Sequence, residues 1–125
     1  MSRVWINGAV TDLAQARIDP LDRGFLVGDG LFETMRWTQA GLRRGERHRA
    51  RLEAGLALLG IAPPGWAEVE AAAGELAQAA ALEDAVARLS VTRGPGRPGL
   101  ETEPGDPTVM LWTAPRPAPP GSVRL

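Results

Sequence analysis

The turn signals of this chain close hairpins, and its two long helical patterns follow one another with no strand between them, which excludes a parallel sheet built from alternating strands and helices. Val4-Trp5-Ile6 and Ala9-Val10-Thr11 flank Asn7-Gly8, the dipeptide that most readily adopts the positive φ of a type I′ turn. Ile18 to Gly24 is turn chemistry around Pro20, and Phe25 to Gly30 is a compact loop or a single helical turn. Leu31, Glu33, Met35 and Trp37 then alternate with Phe32, Thr34, Arg36 and Thr38, the period of a strand, and Gln39-Ala40-Gly41 closes a second hairpin. From Glu46 the period changes: His48, Leu52, Gly55, Leu56 and Leu59 fall on one helical stripe, which Gly60 stops. Pro63-Pro64-Gly65 breaks the chain before an alanine-rich helix with Val69, Ala73, Leu76 and Ala80 as its apolar stripe. Val86 to Thr92 and Thr108 to Thr113 read as strands on either side of the glycine- and proline-rich loop that starts at Arg93. The expected fold is α+β in two layers, a largely antiparallel sheet with two main helices on one face.

A chain of 125 residues is one domain, able to bury roughly two-thirds of the surface its unfolded form exposes. Residues 1–113 make up that domain, and the proline-rich stretch 114–125 reads as a linker carrying the first residues of a further one. No apolar run approaches the ~20 residues of a membrane span, Met1 to Val10 lacks the layout of a signal peptide, and cysteine is absent. A cytoplasmic protein is the expectation. A net charge of −1 provides no basic field for nucleic acid. All fourteen basic residues are arginine, so chemistry that needs a side-chain primary amine cannot be done by this chain alone.

The arginines are unevenly placed. Five lie between Arg43 and Arg51 against the single acid Glu46, and three between Arg88 and Arg97 against none. Such a cluster is either a solvated face or an anion site. Arg51 sits at the margin of the stripe that carries Leu52 and Gly55, where a long cation needs an anion or carbonyl partner, or must reach solvent. Arg49 and Glu53, at i and i+4, form a surface pair. His48 is the only histidine, and with no cysteine beside it no zinc pattern exists; a hydrogen-bonded structural role suits it better than that of a general base. Gly24, Gly28 and Gly30 lack the spacing of a dinucleotide loop, and a P-loop would need lysine.

Asp22-Arg23-Gly24-Phe25-Leu26-Val27-Gly28-Asp29-Gly30-Leu31-Phe32-Glu33-Thr34 resembles the signature near the amino terminus of the class IV, or fold type IV, pyridoxal-phosphate enzymes. These comprise branched-chain aminotransferases, D-amino-acid aminotransferases and aminodeoxychorismate lyases. His48-Arg49-Ala50-Arg51-Leu52, running on to Leu59-Gly60-Ile61, resembles the next family block, and Leu89-Ser90-Val91-Thr92-Arg93-Gly94 the third, in the same order and spacing. The resemblance spans Arg3 to Thr113 and corresponds to the family's first, smaller domain.

What the resemblance implies is limited to a few residues. Arg51 takes the place of the arginine that holds the cofactor phosphate. Phe32 stands where D-amino-acid aminotransferases carry a tyrosine in the substrate pocket; the ring keeps the shape and loses the hydroxyl, which ranks that activity last. Thr34 and Arg36 share a strand face with Phe32 and are candidates for substrate contact. Arg97 resembles the arginine that some members use for a substrate carboxylate near the dimer interface. The Schiff-base lysine, the acid paired with the pyridine nitrogen and most of the phosphate cup belong to the second domain of the family, so no catalytic residue is assigned to this chain. The implied function is the substrate-side half of a pyridoxal-phosphate aminotransferase or aminodeoxychorismate lyase, homodimeric, acting on an amino acid or amino-deoxychorismate, with pyridoxal 5′-phosphate bound only in the complete two-domain enzyme. On this view the chain is a fragment or a split subunit. The other reading is a non-catalytic binding or dimerisation module that keeps the fold. Metal, nucleic acid and membrane are not expected partners.

Overall fold

The computed structural model describes residues 2–96 and 105–117. Asn7 and Gly8 take φ of 50° and 91°, the left-handed pair that the turn requires, and join β1 (Arg3–Ile6) to β2 (Ala9–Asp12). The same turn is tied to a distant strand, because the Asn7 N–H donates to the Val109 carbonyl and the Asn7 side-chain oxygen accepts from the Val109 N–H, both at 2.8 Å. α1 (Arg23–Val27) is a single helical turn that starts two residues before the segment expected to hold a loop or such a turn, Phe25 to Gly30, and Asp22 caps it by accepting from the Gly24 N–H at 2.8 Å. β3 (Gly30–Thr38) and β4 (Gly41–Leu42) form the second hairpin. α2 (Gly45–Leu59) and α3 (Trp66–Ala79) follow, then β5 (Asp84–Thr92) and β6 (Thr108–Pro115).

The six strands form one sheet in the order β2-β1-β6-β5-β3-β4, with every neighbouring pair antiparallel. The long helices cover one face. Met35, Trp37, Leu89 and Leu111 from the strands pack with Leu52 and Leu56 of α2 and with Val69 and Leu76 of α3. Ala85 and Ala87 of β5 join Ala72, Ala73 and Ala77 of α3 within the same cluster; these small side chains let α3 lie close over the sheet. The α+β, two-layer architecture read from the sequence is therefore the one observed.

Apart from an unexpected 3-10 turn at Leu13–Gln15, the differences lie at element ends. Leu59 and Ala80, expected on the apolar stripes, are exposed, because Leu59 is the last residue of α2 and Ala80 caps α3 beyond its final turn. β5 begins two residues early and β6 ends two residues late for one reason: Ala85 still pairs with Pro115 and Val86 with Ala114. Proline, which has no N–H for the ladder, marks the end of β6. The opposite face of β3, β5 and β6, carrying Phe32, Thr34, Arg88 and Trp112, has neither long helix over it.

Candidate functional site

The alternation of β3 sends Met35 and Trp37 into the core, and Glu33 goes with them. A carboxylate that is 5% exposed needs partners, and α2 supplies two, His48 and Arg51, three residues apart on one face. Arg51 donates from Nε to Glu33 Oε1 at 2.7 Å and from its terminal nitrogen to Oε2 at 2.6 Å, while His48 Nδ1 lies 2.7 Å from Oε2. The Arg51 guanidinium holds the Glu33 carboxyl below the usual carboxylate range; burial opposes this and His48 reinforces it. Ionised Glu33 can only accept, so His48 donates to it from Nδ1. His48 thus has the hydrogen-bonded role expected of it.

The three residues stand beside an open cleft of about 320 Å³ lined by Arg44, Arg47, His48 and Arg51. Arg44 precedes α2 in the left-handed region, with φ of 54°, and Arg47 and Arg51 follow at helical spacing, so three guanidinium groups converge near the amino-terminal end of the helix. Arg44 and Arg47 have no carboxylate partner among the described residues. The arrangement fits a phosphate, and the Arg51 side chain, 72% exposed despite its bond to Glu33, reaches the opening. Arg49 points elsewhere and pairs with Glu53 at 3.0 Å.

Phe32, Thr34 and Arg36 share the opposite face of β3, as the alternation requires. Phe32 is 57% exposed, with the Arg88 guanidinium 4.0 Å from its ring centroid, and Arg88 lies opposite Thr34 in the ladder. Arg36 is differently placed: it donates to both Asp84 oxygens, at 3.0 and 2.9 Å, and Arg116 approaches the same carboxylate. Its Nε edge is committed to Asp84, whose pKa it lowers. Arg97 lies outside the described residues.

Glu33 and Arg88 are the site residues that sequence reasoning passed over. Both carry a legible signal, an acid on the otherwise apolar inward face of β3 and a cation on the outward face of β5. A third arrangement links two of the sequence motifs. Arg23 and Arg93 both donate to Asp29, at 2.9 and 2.7 Å, Arg93 also reaches the Leu59 carbonyl at 2.7 Å, and Thr92 donates to Asp22 at 3.0 Å. Asp22, Arg23 and Asp29 with Thr92 and Arg93 thus brace α1 against the end of β5.

Known proteins match along most of the chain. The profile of the amino-transferase class IV family matches residues 30–125. A putative branched-chain-amino-acid aminotransferase of Methanocaldococcus jannaschii is 32% identical over 117 residues, covering 92% of this chain and 41% of its own length. The crystal structure of 4-amino-4-deoxychorismate lyase from Pseudomonas aeruginosa superposes with a TM-score of 0.73 at 41% identity, over 94% of this chain and 41% of the lyase. A hypothetical aminotransferase from Mycobacterium tuberculosis, solved in its PLP-bound form, shares the fold with a TM-score of 0.73 at 21% identity, over 92% of this chain and 40% of its own. The chain spans about two-fifths of the length of each relative.

Proposed function

The chain belongs to the amino-transferase class IV family, and we propose that it is the substrate-side half of a pyridoxal-phosphate enzyme, completed by a lysine-bearing second domain. The observation that carries this reading is the arginine-lined cleft at α2, in a chain that holds no lysine. Arg51, with Arg44 and Arg47 beside it, binds the cofactor phosphate; when bound, the cofactor withdraws electrons from the amino acid attached to it. The residues of this chain bind and orient, and the amine that exchanges with substrate comes from elsewhere.

Two outcomes are open to such an enzyme, transamination of an amino acid and elimination of pyruvate from amino-deoxychorismate. The 41% identity to the lyase supports elimination. So does the open sheet face, where Arg88, which has no carboxylate partner among the described residues, stands over Phe32 and beside Thr34 and offers a cation to a substrate carboxylate. Arg36, bound by Asp84, shapes that face, and Arg97 remains the proposed second carboxylate contact. The assembled enzyme is proposed to be a homodimer in the cytoplasm.

The test joins this chain to the second domain of the 41% identical lyase and adds pyridoxal phosphate. A visible absorbance band from the lysine-bound cofactor is expected, with pyruvate released from 4-amino-4-deoxychorismate. Arg51→Ala should weaken cofactor binding by roughly tenfold or more, the loss of one charge-assisted contact to a dianion. A 2-oxo acid from a branched-chain amino acid in place of pyruvate would assign the transaminase outcome. No band under any pairing would leave the non-catalytic module.

A further inference from the structure

Arg51 is mostly exposed, and an untethered arginine side chain samples many rotamers, so something must aim it if it is to hold an anion at a fixed point. Of its five N–H donors, the Nε–H and one on the terminal nitrogen Nη2 are used on Glu33. The remaining three lie on the far end of the guanidinium, which borders the cleft. Glu33 itself cannot swing, because it is 5% exposed on a strand in the middle of its pairing with β5 and is also bonded to His48. We infer that Glu33 is a positioning residue: its buried carboxylate clamps the Nε edge of Arg51 so that the opposite end is presented to the phosphate-bearing ligand. This rests on the reading of Arg51 as the phosphate holder.

A clamp at Glu33 and simple electrostatics predict changes of opposite sign in anion binding when Glu33 is neutralised. Removing a negative charge a few ångströms from an anion site should strengthen anion binding; removing a clamp should weaken it. Inorganic phosphate is titrated into the chain joined to the second domain of the 41% identical lyase, while the ring signals of the only histidine this chain contributes, His48, report occupancy. Glu33→Gln, confirmed folded by circular dichroism, is expected to bind phosphate about tenfold more weakly, as a charge-assisted two-point contact is degraded. Adding Arg51→Ala to it should cause no further loss beyond Arg51→Ala alone, since Glu33 acts through Arg51.

Unchanged or tighter binding by folded Glu33→Gln, with Arg51→Ala weakened, overturns the positioning role and leaves the Arg51 reading standing. Wild-type affinity in Arg51→Ala, or no binding by the wild-type chain, overturns both. Should Glu33→Gln not fold, the wild-type protein decides: the Arg51 Nε–H must exchange with solvent far more slowly than those of exposed arginines, and rapid exchange overturns the inference.

Discussion

Two acids of this molecule keep their charge in surroundings that oppose it, each by pairing with arginine. Glu33 and Asp29 are both carboxylates in places where burial would raise their pKa, and both are held below the usual range, Glu33 chiefly by Arg51 and Asp29 chiefly by Arg93. A carboxylate that binds its proton less tightly in the folded state than in the unfolded one adds stability above its unfolded pKa, about 4, and that contribution disappears as pH falls through the lower folded value. The thermal midpoint is therefore expected to stay level from pH 7 to about 5 and to drop below about 4. In Asp29→Asn the drop should be shallower and the neutral-pH stability lower by on the order of 3 kcal/mol, because Arg23 and Arg93, 8% and 14% exposed, lose their shared anion. Differential scanning calorimetry across that pH range checks both statements, and an equally steep acid limb in the variant would refute the first.

At the level of elements, the turns that position the site do so for different physical reasons, and one substitution separates them. Gly28, which ends α1, has φ of 70° and nothing near the position of a Cβ; Gly94, which follows β5, has φ of 88° and the Asp106 carbonyl oxygen where a Cβ would be. Gly28→Ala should cost about 1 kcal/mol, the strain of a left-handed residue alone, whereas Gly94→Ala must also displace backbone and should cost about 2 kcal/mol or more. Urea unfolding of the two variants measures the difference, and equal losses would show that the chain following β5 gives way freely. The periodicity of β3, α2 and α3 was legible in the sequence because each alternates or repeats against one buried face. Their ends were less so, since Leu59 and Ala80 obey the period one turn past the point where the sheet stops covering it.

Across the whole molecule, one face of the sheet is covered by α2 and α3 while the apolar surface remaining is concentrated elsewhere. Phe25 is 78% exposed, Val27 59%, Phe32 57% and Leu58 90%. Apolar side chains displayed in this number on a small domain favour association. Sedimentation of the isolated chain is expected to shift toward larger species with rising concentration, and Phe25→Ser to reduce that shift; a concentration-independent monomer would count against it.

The sequence by itself determined the element order, the antiparallel pairing, the family and the missing amine. Turn dipeptides, hydrophobic periods and residue identities are local properties, and each can be read within a dozen positions. Apart from the local Arg49–Glu53 pair, only the tertiary structure decided which arginines have partners. Arg51 meets an acid 18 positions away and Arg36 one 48 positions away, while Arg88 stacks on a phenyl ring from the neighbouring strand. Whether a cation is tied to an internal carboxylate or left for a ligand depends on strand register and helix placement, which bring together residues that the sequence keeps apart.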